Sequence, residues 1–219
     1  MNYKLIGTNH ISKQSKEDIK KEFSDYKPDI IAVELDLNRY KTLKSKQNQK
    51  ISITSIKTIG ITGYLFALIG RIVQKKLGKI MNVEPGEEML LATNLAKKNK
   101  LKLYLIDQDI RITLKNLSKK VSFKEKMKML KDLIISPFSK NKIKIDLSKV
   151  PEKEILENLM EEFKQKYPGT YKALLEDRNK YMAKQIIKIN QLNPEQKIMI
   201  VIGAGHQKGI EEILQNARA

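Results

Sequence analysis

Apolar and polar positions fall along this chain in blocks. Four short apolar runs rich in β-branched residues, Tyr3 to Ile6, Ile30 to Glu34, Lys102 to Ile106 and Ile198 to Ile202, read as strands, and each precedes a segment of helical periodicity. Strands that alternate with helices join as a parallel sheet through right-handed crossovers. The pattern therefore predicts an α/β fold with a mostly parallel central sheet of about four or more strands and flanking helices. The first helix is expected in "SKQSKEDIKKEF", where a serine cap signal is followed by Ile19 and Phe23 on one face. A second is expected in "EPGEEMLLATNLAKKN", which has Pro and Gly at its start, acids in the first turn and lysines in the last. Ser122 to Gln191 reads as three or four helices, broken near Ser136-Pro137, Val150-Pro151 and Tyr167-Pro168-Gly169. The organisation expected is one domain over 1–219 with a helical insertion at about 115–195, before the last strand.

One segment departs from this alternation. "TIGITGYLFALIG", Thr58 to Gly70, carries no charge. As a helix it would be roughly 20 Å long, short of the roughly 30 Å hydrocarbon core of a bilayer. A buried helix or helical pair fits it. A homodimer contact or a peripheral membrane contact through 58–79 also fits, because Lys75, Lys76 and Lys79 follow directly and suit anionic headgroups.

Composition narrows the chemistry. The chain has 219 residues and no cysteine, so disulfides, thiolate metal sites and cysteine nucleophiles are excluded. No secretory leader pattern opens it, and a cytoplasmic protein, with membrane association left open, is expected. A net charge of +18 raises the question of nucleic acid. The positive charge is almost all lysine, spread along the chain among acids, with Arg39, Arg71, Arg111, Arg178 and Arg218 the only arginines. Arginine is the usual reader of base edges, so no specific nucleic-acid partner is expected.

In open parallel sheets the ligand crevice lies beyond the carboxyl ends of the strands. The residues there form a set: Gly7-Thr8-Asn9-His10 after the first strand, Glu34 and Asp36 after the second, Asp107, Asp109 and Arg111 after the third, and Gly203-Ala204-Gly205-His206 after the fourth. The only two histidines of the chain thus each end a Gly-x-x-His. Gly7, Gly203 and Gly205 are expected to serve tight turns, where positive φ or close approach of a ligand favours glycine. Glu34 ends an otherwise apolar strand, so it must be paired, liganded or facing an opening. Asp36 and Arg39 also suit ordinary capping and pairing on the next helix, and Asp109 suits a helix cap. "EDRNKYMA" lies within a helical stretch, where a solvated i, i+4 charged face is the ordinary reading.

Together "GTNHIS", "VELD" with Arg39, "EPGEEM", "LIDQDIRITL", "EDRNKYMA" and "VIGAGHQKGI" resemble the TraB/PrgY family, named for plasmid pheromone-shutdown proteins and widespread in archaea. That family is similar to the Tiki metalloproteases and the erythromycin-esterase-like superfamily, which share two Gly-x-x-His motifs and a glutamate. The resemblance runs end to end in matching order. By position, the paired motifs fall on Gly7 to His10 and Gly203 to His206, the glutamates on Glu34 and Glu88, and the helix motif on Glu176, Asp177 and Arg178. The family's frequent "DRD" is here Asp107-Gln108-Asp109, which removes any role for an arginine at 108. Many relatives carry a membrane region after the domain; here anchoring is expected only from a partner or from the Thr58 to Val73 segment.

The resemblance implies a metal-dependent hydrolase, with peptides the leading substrate class. Two imidazoles and one or two carboxylates suffice for a catalytic Mn, Co, Zn or Fe ion with an open position for water. His10 and His206 would ligate with Glu34 or Glu88, the remaining glutamate would be general base, and Glu87 leaves that register ambiguous. Arg39, Arg111 and Arg178, with Asn9, are the candidate substrate-binding side chains. The alternative is a protein that sequesters a peptide or small ligand, haem included, without turnover.

Overall fold

A computed structural model describes residues 2–8, 13–45, 57, 60, 64, 67, 86–135 and 153–217. Asn9 and His10, nearly all of the 58–79 segment, and the expected breaks at Ser136-Pro137 and Val150-Pro151 lie outside the described residues. In chain order the elements are β1 (Tyr3–Thr8), α1 (Lys13–Tyr26), β2 (Ile30–Val33), α2 (Leu37–Ser45), α3 (Glu87–Lys98), β3 (Lys102–Leu105), α4 (Ile110–Lys120), α5 (Phe123–Ile135) and α6 (Lys153–Lys166). They continue with α7 (Pro168–Tyr171), a π-helical turn (Lys172–Glu176), α8 (Asp177–Leu192), β4 (Ile198–Gly203) and α9 (Ala204–Asn216).

The strands form the expected α/β sheet, four-stranded, all parallel, in the order β1-β4-β2-β3. The expected strands are all present, with edges shifted by one or two residues: β1 runs on through Gly7 and Thr8, and β2 stops at Val33. β4 is central, and all six of its residues are buried. Strands covered on both faces lack polar alternation, which is why "IMIVIG" reads as an unbroken apolar run. The two-residue period still sorts its side chains. Ile198, Ile200 and Ile202 join Met182, Ala183 and Ile186 of α8 and Ile210 and Leu214 of α9 on one face. Met199 and Val201 join Ile19 of α1 and Met89, Ala92 and Ala96 of α3 on the other. Each fully buried Ile, Val, Leu or Met side chain among these contributes about 1.5–3 kcal/mol of transfer free energy.

The register sets the strand ends level. Tyr3 opposes Ile198 and Thr8 opposes Gly203, while Val33 opposes both Val201 and Leu105. The residues that follow, Glu34, Asp107 and Ala204 onward, therefore emerge along one edge of the sheet.

α8 enters from that edge through an unusual approach. Tyr167 breaks the helical path, and Pro168 begins α7 at the position where a missing N–H costs nothing. The buried Glu125 of α5 then accepts from Gly169 N (3.0 Å), Thr170 N (2.8 Å) and Thr170 Oγ1 (2.7 Å), so a carboxylate neutralises the free N–H groups of this helix start. Gly169 allows the approach: a Cβ there would stand 2.7 Å from the Lys120 carbonyl oxygen. The π-helical turn follows, and its extra residue offsets the helix before Asp177.

Replacing Glu125 by Ala should strand two buried N–H groups and lower stability by about 1–3 kcal/mol. Denaturant unfolding would report this as a lower midpoint at unchanged slope. A loss below about 0.5 kcal/mol would contradict the capping role.

Candidate active site

Four side chains from four different elements meet beyond the carboxyl ends of β2, β3 and β4. Glu34, one residue past β2, is only 2% exposed, and the side chain of Arg178 from α8 is 15% exposed. Arg178 uses its whole donor fork. Nε and Nη2 donate to the two oxygens of Asp107 (3.1 and 2.8 Å), Nη2 also reaches Glu34 Oε1 (2.5 Å), and Nη1 donates to the Leu174 carbonyl (3.3 Å) and to His206 Nε2 (2.9 Å). Burial by itself would lower the Arg178 pKa; the charges of Asp107 and Glu34 and their hydrogen bonds reverse this and raise it above its ordinary value. The guanidinium is a fixed positive charge at every pH the protein meets.

The acceptors are held from behind. Glu34 Oε2 accepts from Gly203 N (2.6 Å), which ties the carboxylate to the end of β4 and leaves Oε1 turned inward. Asp107 Oδ1 also accepts from Gln108 N (2.8 Å). His206 lies in the first turn of α9, with Nε2 3.4 Å from Glu34 Oε1 and Nδ1 2.6 Å from Asn179 Oδ1. None of Gly7, Gly203 and Gly205 has left-handed backbone, and only Gly7 is held to glycine by a close approach. Gly203 has φ −66 and ψ 141, open to any residue, and Gly86, the residue before α3, has the positive φ (96) expected at the turns. Gly7 needs to be small because a Cβ would stand 2.2 Å from Gln207 Oε1 and 3.3 Å from the Ala204 Cα. Gly205 is helical, with only ordinary contacts awaiting a Cβ.

The other expected residues sit elsewhere. Asp36 caps α2, accepting from Asn38 N (2.7 Å) and Arg39 N (3.1 Å), so Arg39 belongs to a helix start. Asp109 caps α4 through Arg111 N and pairs with the Arg111 side chain, Nη2 to Oδ2 at 2.5 Å. The hydrogen bond from Arg111 holds the Asp109 carboxyl below the usual carboxylate range. A lowered folded-state pKa means that this cap is fully present above the ordinary carboxylate range and is lost as pH falls through the lowered value. Arg111 is thus engaged within its own turn. Glu88 is buried in the first turn of α3, which covers the opposite face of the sheet from α8, while Glu87 beside it pairs with Lys16 of α1. Among the described residues no three His, Cys, Asp or Glu side chains group closely enough to hold a metal ion.

A cleft of about 420 Å³ adjoins the network through Asp107 and is lined also by Asp36, Leu37, Asn38, Leu105, Asp109, Arg111 and Tyr181. Leu37 and Tyr181 are exposed there, which gives the cleft an apolar rim. Among the described residues no helix is long and apolar enough to cross a membrane.

His206 Nε2 and Glu34 Oε1 present lone pairs to one cationic group, and each is oriented by a bond on its far side. Their 3.4 Å separation matches the roughly 3.4 Å between two ligands of a tetrahedral ion, but in this structure the cation between them is the Arg178 guanidinium.

A parallel sheet flanked by helices, with a charged, buried constellation at its strand carboxyl ends, places the chain among the open-sheet α/β proteins. Within that class this chain belongs to the TraB/PrgY/gumN family, whose model matches residues 3–219. It is 36% identical to the uncharacterized protein MJ1365 of Methanocaldococcus jannaschii over 96% of its length. It is 24% identical to the TraB domain-containing proteins of Homo sapiens and Mus musculus over 95%. It spans 53% of the first relative and 61% of the other two.

Arg178→Met should leave Glu34 and Asp107 buried without their cation and cost about 3–5 kcal/mol of unfolding free energy. Lysine cannot reproduce the fork, so Arg178→Lys should recover only part of it. Arg111→Met is the surface control. Equal losses in the 178 and 111 variants would contradict the network.

Proposed function

We propose that this chain is a metal-dependent hydrolase, with peptides as the first substrate class to assay. The observation that carries the reading is the pair His206 Nε2 and Glu34 Oε1, 3.4 Å apart and each fixed from behind by Asn179 and by Gly203 N. His206 and Glu34 would hold a Mn, Co, Zn or Fe ion, with His10 of the first Gly-x-x-His as the further ligand implied by the family resemblance. When bound, such an ion lowers the pKa of its water to about 7 and polarises a carbonyl.

The remaining work falls to the chain's own residues. Arg178, with all its donors engaged by Asp107, Glu34, His206 and the Leu174 carbonyl, contributes a fixed positive charge beside the ligand pair and holds its carboxylate and imidazole in place. The general base of this scheme is implied by the family resemblance alone, which assigns it to Glu88, buried in the first turn of α3 and outside the Arg178 network. The cleft bounded by Asp107, Leu37 and Tyr181 offers the substrate a path to that charge.

One observation favours a second reading, ligand sequestration without turnover. The Arg178 guanidinium spans the two lone pairs that an ion would need, Nη1 on His206 and Nη2 on Glu34. In that reading the guanidinium is itself the resident cation and the cleft holds the ligand.

Metal analysis of untagged protein by mass spectrometry separates the two. The hydrolase reading expects about one ion per chain, reduced at least about tenfold in His206→Ala and Glu34→Gln, and ion-dependent peptide cleavage. Absence of metal after incubation with each of the four ions would overturn it in favour of sequestration.

A further inference from the structure

The two nitrogens of His206 are gripped by adjacent residues of α8. Arg178 Nη1 lies 2.9 Å from Nε2, and Asn179 Oδ1 lies 2.6 Å from Nδ1. A guanidinium has donors and no acceptor, so Nε2 must offer its lone pair. The imidazole is then neutral with its proton on Nδ1, and that N–H donates to the amide oxygen of Asn179. Asn179 is buried, and its amide has no freedom to turn away. Its Nδ2 stands 2.3 Å from where a Cβ on Gly209 would be, and its Cγ 3.3 Å. The amide is therefore laid against bare backbone of α9, three residues beyond the histidine it serves.

We propose that Asn179 is a positioning residue that fixes His206 as the Nδ1–H tautomer, and that Gly209 is glycine to make room for its amide. The consequence is that the Nε2 lone pair always faces Glu34 and Arg178. Asn179 is not a ligand in this account. It decides which nitrogen is offered, whether the occupant is an ion or the guanidinium. Its bearing on catalysis rests on the hydrolase reading, but the tautomer does not.

The chain has only two histidines, which makes the proposal readable by nitrogen NMR. With ¹⁵N-histidine label, the His10→Ala variant leaves the His206 ring as the single source of signal. The expected spectrum is one neutral tautomer, protonated at Nδ1, with a slowly exchanging ring proton. In Asn179→Leu, of similar volume without the acceptor, exchange of that proton should quicken about fivefold to tenfold, and Asn179→Asp should restore the acceptor. Gly209→Ala, which touches no atom of His206 by design, should move the same signals by displacing the amide. Should Asn179→Leu fail to fold, Gly209→Ala decides alone.

If the ion reading also holds, the dissociation constant for the bound metal should rise about 10–100-fold in Asn179→Leu. Failure of wild-type protein to bind metal would sink the hydrolase reading and leave the ring spectrum to judge this one. A proton on Nε2 in the wild-type ring, or ring signals unchanged in folded Asn179→Leu and Gly209→Ala, would overturn the positioning role.

Discussion

The Arg178 guanidinium is the constraint on which the site depends. Its side chain is 15% exposed, and the two carboxylates it meets are 2% and 6% exposed. Taking each such charge out of water costs several kcal/mol, and only close, well-directed pairing offsets that. The structure meets the requirement with the bidentate contact to Asp107, the shared Nη2 on Glu34, and further hydrogen bonds from Gly203 N to Glu34 and from Gln108 N to Asp107. Neither carboxylate is tolerable there without the guanidinium, and the guanidinium is held by both.

That arrangement follows from the sheet. A parallel order with level strand ends delivers Glu34, Asp107 and the start of α9 to one edge, and α8, in the connection from β3 to β4, packs with α9 on the same face of the sheet. The long helical passage between β3 and β4 brings Arg178 back to that edge. The cap that Glu125 places on α7 and the π-helical turn after it fix the rotation at which α8 arrives. A site built across four elements is thus maintained by packing far from its chemistry.

The four strands and their parallel sense were legible because short apolar runs rich in β-branched residues alternate with segments of helical periodicity, the pattern of a parallel sheet covered on both faces. Glu34 was legible for a related reason: an acid closing an apolar strand has few physical explanations. Arg178 was harder, since "EDRNKYMA" reads as a solvated helix face until the π-helical turn offsets it, and nothing in the residue types announces a π turn. The caps that Asp109 and Asp36 form with the backbone N–H groups of Arg111 and Arg39 leave no mark in the sequence that distinguishes capping from function, and Arg111 also lines the cleft. Glycine at these turns suits positive φ or the close approach of a ligand, whereas at Gly7 the close neighbours are Gln207 and the Ala204 backbone, a meeting of the two ends of the chain that the sequence does not mark. Asn179 gave no signal at all; its role exists only once the two nitrogens of His206 are placed.

A double-mutant cycle tests the central claim most directly, with Arg178→Met, Glu34→Gln and their combination compared by denaturant unfolding. Mutual dependence predicts that the double variant loses less than the sum of the single losses, by about 2–3 kcal/mol. Additivity within about 0.5 kcal/mol would mean that the two side chains are independent, and the account of the buried network would be wrong.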